Sequence, residues 1–243
     1  MKIAVINFSG NTGKSTLTKN LLVPQIPGCK RISIEEINEG DGKSDLDIGA
    51  SLFRNLAAEL NVADDDQHFV IDIGASAAKS MLSHFATLRT TRSDISFWVV
   101  PVTSQVKQRA DTLNTVKALI EIGVKPERIV VVANNISEIA LFEGDFERIS
   151  AAAAEMGFLM CTEAVLTHEV FEMTKGDSRS VFEIAADETD FKAMRKACAG
   201  DANKLEQLGR QMVIRDSAED ACGNLRDVFN ATPISAALKS IVA

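Results

Sequence analysis

The stretch Ser9-Gly10-Asn11-Thr12-Gly13-Lys14-Ser15-Thr16 follows the apolar run Ile3–Ile6 directly and precedes a helical pattern that starts at Leu17. A strand, a glycine turn and a helix start in this order form the context in which Gly-Lys-Ser cradles phosphate oxygens. Loop N–H groups and the positive end of the helix dipole point at the anion. In that arrangement Lys14 reaches the β and γ oxygens of a nucleotide and Ser15 offers a hydroxyl to Mg²⁺. The pattern Gly-x4-Gly-Lys-Ser/Thr requires a glycine at position 8, where this chain has Phe8. Read without its context, Gly-Lys-Ser is equally an ordinary glycine turn.

The rest of the first three quarters alternates between strand-like and helical runs. Strands are expected at Lys2–Asn7, Arg31–Ile34, His68–Ile73, Ser96–Val102 and Ile129–Asn134, with a weaker one at Phe158–Cys161. Phe69-Val70-Ile71 and Val130-Val131-Val132 are apolar without alternation, as in strands buried on both faces of a parallel sheet. Residues Gln108–Ile122 place Leu113, Val116 and Leu119 near one helical face and stop at Gly123. The fold class that follows is α/β, a doubly wound and mainly parallel sheet. Ligands of such sheets sit at the carboxyl ends of the strands, where the Ser9–Thr16 loop lies. Gly40–Asp47 reads as an exposed loop, and Asp64-Asp65-Asp66 as a solvated turn that closes a helix.

After about Ala186 the character changes. No strand is evident there, and helices are expected at Thr189–Ala199, Ala202–Ile214 and Ser217–Phe229, punctuated by Gly200 and Pro233. We expect a nucleotide-binding domain over residues 1–186 and a helical C-terminal extension over 187–243, packed on it. The formal net charge of −8 opposes nucleic-acid binding by the surface as a whole. The absence of Tyr and the single Trp98 argue against a base-stacking platform. No apolar run has the length of a membrane span, and Met1-Lys2-Ile3 opens straight into a strand without a leader pattern. Cys29, Cys161, Cys198 and Cys222 show no metal-binding spacing and read as reduced thiols of a cytoplasmic protein.

Two strand ends carry further candidates. Asp72 ends Phe69-Val70-Ile71-Asp72-Ile73-Gly74, where a carboxylate holds Mg²⁺ through a water or simply starts a turn. Asn134 and Asn135 end another buried strand in two amides, which suit the edge of adenine or a turn. His68, His84 and His168 show no companion at triad or ligand spacing and read as structural.

Together these segments resemble the ParA/MinD-type P-loop ATPases, and more narrowly the StbB-type plasmid-stability proteins, through the opening Met1-Lys2-Ile3-Ala4-Val5-Ile6-Asn7-Phe8-Ser9-Gly10-Asn11. The family loop reads Lys-Gly-Gly-x-Gly-Lys-Ser/Thr. Gly10, Gly13, Lys14 and Ser15 match it, while Ser9 and Asn11 replace the first Lys and the second Gly. The stretch Ser93–Val102 resembles the strand whose Pro101 opens the dimer-side helix. Leu166–Glu183, with Gly176 and Ser180-Val181-Phe182, is similar to the closing Gly-x-Ser-Val segment.

The resemblance implies ATP/ADP and Mg²⁺ as cofactors. Gly10, Asn11, Thr12, Gly13, Lys14, Ser15 and Thr16 would surround the phosphates, and Asn134 the adenine. Ser15 and Asp72 would serve the metal, and Lys14, Asp72 and Glu36 the chemistry. Glu35 or Glu36 would orient the attacking water, unless Ile34-Glu35-Glu36-Ile37-Asn38 is an ordinary acidic turn. In the family the first loop Lys reaches the phosphates of a partner subunit, and Ser9 cannot supply that charge. Removing one positive group from a transition-state oxygen costs on the order of 10³ in rate.

The expected function is an ATP-binding switch with weak or absent ATPase activity, acting in plasmid stability, partition or positioning. Its expected partners are a plasmid-encoded DNA-binding adaptor and a nucleotide-dependent second copy, with the acidic charge favouring an adaptor over direct DNA binding. A metabolic P-loop enzyme, such as a small-molecule kinase or ligase, is the alternative. It would need an acceptor-binding cluster, and none stands out.

Overall fold

The computed structural model describes residues 1–35, 45–64, 66–137 and 139–242. Strands β1 (Lys2–Val5), β2 (Lys30–Ile34), β3 (Phe69–Ile73), β4 (Phe97–Val102), β5 (Ile129–Ile136) and β6 (Leu159–Met160) form a parallel sheet in the order β2-β3-β1-β4-β5-β6. A two-residue strand, β7 (Val165–Leu166), adds to the far end of β5, pairing Asn134 with Val165 and Ile136 with Leu166. The register sets Val5 beside Asp72 and Val102 beside Ala133. The loops after β1, β3 and β5 therefore leave from one edge of the sheet.

Both faces of the central strands β1, β3, β4 and β5 are buried, which explains the apolar runs. Successive residues alternate between two cores. Ile3, Val5, Val70, Val99, Val130 and Val132 face one, while Ala4, Ile6, Ile71, Ile73, Trp98 and Val100 face the other. Fully burying side chains of this size contributes about 1.5–3 kcal/mol each. Helices α2 (Asp45–Val62), α3 (Ala75–Thr87), α4 (Arg89–Asp94), α5 (Val106–Glu121) and α6 (Ile139–Met156) accompany these strands. Phe53 of α2 meets the edge of Phe85 of α3 at 4.8 Å, and Phe85 meets Trp98 of β4 at 5.0 Å. Of the segment read as an exposed loop, residues 40–44 lie outside the described residues, and Asp45 opens α2.

The helix after the glycine loop, α1, is composite. An α-helical turn at Lys14–Thr16 passes into a π-helical stretch, Leu17–Leu22, and then a 3-10 turn, Val23–Gln25. The Val23 N–H reaches the Thr18 carbonyl five residues back. Such widened turns gather at functional sites. Leu17, Leu21 and Leu22 of α1 share the second core with α8 (Val181–Ala185) and with the C-terminal half of α10 (Ala202–Asn230). The short helices α7 (Val170–Met173) and α9 (Phe191–Ala197) lie between, and α11 (Pro233–Val242) ends the chain.

The C-terminal quarter is helical, as expected, but α10 is one unbroken helix in place of the expected two. Ala218, Ala221, Cys222, Leu225 and Val228 fall at helical spacing and seat its second half in the core that holds Ile3 and Val5. That burial carries the helix through residues 215–216. Ser180 starts α8 with a capping box, in which the Glu183 carboxylate accepts from the Ser180 N–H and the Ser180 hydroxyl accepts from the Glu183 N–H.

Candidate functional site

A cavity of about 760 Å³ opens at the carboxyl ends of the strands. Its volume lies within the roughly 300–1,000 Å³ common for ligand sites. Gly10, Asn11, Gly13, Lys14, Ser15 and Thr16 form one wall; Asp72, Asn134 and Glu35 also line it. Of the residues expected at the phosphates, Thr12 alone stands behind the wall, fully buried, with no hydrogen-bond partner for its hydroxyl. Glu36 lies outside the described residues.

The loop's shape follows from two left-handed residues. Asn11 has φ 57° and Gly13 has φ 85°. Asn tolerates that region through its short polar side chain, and Gly occupies it without steric cost. Gly13 is further constrained, because a Cβ there would press into the Asn134 carboxamide, with Cγ at 2.9 Å. Asn134 donates from Nδ2 to the Thr12 carbonyl at 3.1 Å. The residue expected at adenine thus braces the glycine loop.

Helix α1 starts at Lys14 without a side-chain cap. Its first N–H groups have no partner within the helix and are available to an anion. Lys14 is buried, and its ammonium donates to the Ser9 carbonyl at 2.8 Å. Burial pulls the Lys14 ammonium below its ordinary range, while the charges of Asp72 and Glu35 pull it back up. A buried cation beneath an uncapped helix start is a site that gains from negative charge.

A buried polar stripe on α5 holds the first half of the loop. Asn7 is fully buried and donates from Nδ2 to the Pro101 carbonyl and to the Thr112 hydroxyl, each at 2.8 Å. Its Oδ1 accepts from the Ser9 N–H at 2.8 Å. The Phe8 N–H donates to the Thr115 hydroxyl at 3.1 Å, and Gln108, itself bonded to Thr103, donates to the Gly10 carbonyl at 3.3 Å. Gln108, Thr112 and Thr115 recur at i, i+4 and i+7, so they share one helical face. In sequence these polar residues share their arc with Val116 and Leu119 and give no sign of a partner, and only their apposition to Asn7 reveals it.

Asp72 is the penultimate residue of β3, almost wholly buried, and its Oδ2 accepts from Arg31 Nη2 at 2.8 Å. Beside it Gly74 leaves room for Glu35, whose Cγ would lie 3.1 Å from an added Cβ. The lining is completed by Asn135 and by Leu166, Phe171, Glu172 and Lys175; the sequence singles out Asn135 as a residue and the other four only as part of the segment Leu166–Glu183. Asn135 adopts φ 59°, and its Oδ1 accepts from the Thr167 hydroxyl at 3.0 Å. His168, expected to lack a charged partner, lies 3.2 Å from Asp220 of α10. The two are 52 residues apart, a distance that spacing rules do not reach.

The donor set fits a nucleotide with Mg²⁺. The Ser15 hydroxyl and the Asp72 carboxylate are hard oxygen ligands, and Mg²⁺ takes one or two such groups together with phosphate oxygens and water. Among the described residues no three His, Cys, Asp or Glu side chains converge on a metal position, and no helix is long and apolar enough to cross a membrane.

No family model matches the chain, and no curated protein matches it. Solved structures do. McdA of Cyanothece, an aspartate-to-alanine variant in complex with ATP, superposes with a TM-score of 0.50 at 13% identity over 90% of this chain and 96% of that one. A chain of the MinC:MinD cell division protein complex of Aquifex aeolicus gives a TM-score of 0.50 at 12% identity over 91% and 95%. At these identities the likeness is one of fold alone: the chain shares the mainly parallel α/β architecture of these two structures.

Proposed function

We propose that the chain is an ATP-binding switch protein of the partition and positioning kind, with weak or absent ATPase activity. The observation that carries the reading is Lys14, a buried cation below the uncapped start of α1, with Asp72 across the cavity. Gly10, Asn11, Gly13, Lys14, Ser15 and Thr16 would hold the phosphates and Asn134 the base. Ser15 and Asp72 would hold Mg²⁺, which when bound neutralises part of the triphosphate charge. The Ser9 backbone positions Lys14, but its side chain carries no charge to offer a partner subunit, and this favours binding over turnover.

ATP would order the loop and the segment after β2, and so change a surface offered to a second copy or to a partner. A plasmid-encoded DNA-binding adaptor fits the acidic charge of the chain, and plasmid stability of the StbB type is the setting the opening residues favour. Sedimentation with Mg²⁺ and no nucleotide, ADP or ATP tests this. The expected result is an assembly state that differs between ATP and ADP, with slow phosphate release. Rapid ATP consumption that appears only when a small metabolite is added would contradict it and favour the metabolic enzyme.

A further inference from the structure

A buried carboxylate facing a triphosphate site poses an electrostatic problem. Asp72 is 3% exposed, and its charge is felt at Lys14. Unneutralised, it would repel the phosphates, and a bound cation is the ordinary relief. In this chain relief is already present, because the Arg31 guanidinium stands 2.8 Å from Asp72 Oδ2. Arg31 belongs to β2, the edge strand of the sheet, and 37% of its side chain remains exposed. Its cost of desolvation is therefore small. Arg31 is also absent from the cavity wall, so it acts on Asp72 from behind and not on the ligand directly.

We propose that Arg31 is a positioning residue that neutralises Asp72 when no metal is bound, so that nucleotide binding by this chain depends little on Mg²⁺. The proposal rests on the nucleotide-binding reading above. With Arg31 in place, Asp72 presents the phosphates with one half of an ion pair. Without it, Lys14 alone is left to offset the carboxylate, and a metal becomes necessary for tight binding.

The test is the ratio of ADP dissociation constants in EDTA and in Mg²⁺, measured by titration calorimetry. The unaltered chain is expected to show a ratio within about tenfold. Arg31→Gln should weaken binding in EDTA by roughly a further tenfold while leaving the Mg²⁺ value nearly unchanged, the scale expected of one unit charge a few ångströms away in a partly solvated site. Arg31→Lys, which keeps the charge, should restore the ratio. A merely structural Arg31 would weaken both values together, and that result would overturn the proposal. So would a ratio in the unaltered chain far above tenfold, a reading that needs no variant to fold. Saturable binding with an unmoved ratio overturns the role of Arg31 alone; no saturable binding by the unaltered chain overturns the nucleotide reading as well.

Discussion

On one side of the cavity, residues 7–10 are tied by buried and part-buried hydrogen bonds to β4 and α5, through Pro101, Thr112, Thr115 and Gln108. On the other, Asp72 meets a single guanidinium from an exposed residue of an edge strand. The first arrangement fixes a backbone path at several points and leaves no room for alternatives. The second sets a charge balance that a ligand or a solvent fluctuation can alter. The contrast teaches that the glycine-loop side of the cavity is built in advance, whereas the carboxylate side is free to answer what binds.

Substitution at Gly13 should have the largest effect. Gly13→Ala places a Cβ at φ 85° against Asn134; the left-handed conformation costs roughly 1–2 kcal/mol, and displacement of the Asn134 carboxamide adds to it, for a total above that of any substitution below. We expect a lowered melting temperature together with loss of nucleotide binding; an unchanged melting temperature would show that the cradle is not pre-set. Asn7→Ala comes next. It removes a fully buried amide that serves three partners, at a cost of about 2–3 kcal/mol in denaturant titration. The smallest loss of stability is expected from Arg31→Gln, because its guanidinium is partly solvated and Lys14 remains to offset Asp72. Were Arg31→Gln to destabilise the fold more than Asn7→Ala, the contrast between the two sides would be broken.

What is legible in the sequence and what is hidden divide along a physical line. Runs such as Val130-Val131-Val132 announce a strand buried on both faces because burial on a parallel sheet is a local pattern. The turn at Gly10–Gly13 is equally local, since a left-handed residue followed by a helix start restricts residue type. Gln108, Thr112 and Thr115 carry no such signal, because a buried polar stripe and a solvated one have the same periodicity. The Arg31–Asp72 pair and the His168–Asp220 contact depend on strand order and on where α10 docks, and no spacing encodes either. Helix α10 runs through residues 215–216 for the same reason, since tertiary burial beyond Ala218 overrides a weak local pattern. Two-residue β7 is too short for any periodicity to register.

Nucleotide binding by this chain stands or falls with Lys14 as the cation that holds phosphate. Calorimetric titration of ATP into the unaltered chain and into Lys14→Ala, each checked for an intact fold by circular dichroism, tests this most directly. One saturable site is expected in the unaltered chain, with affinity at least about a hundredfold weaker in the variant, the scale of removing a buried charge-assisted hydrogen bond. Equal affinity in the two, or no saturable binding in either, would contradict it.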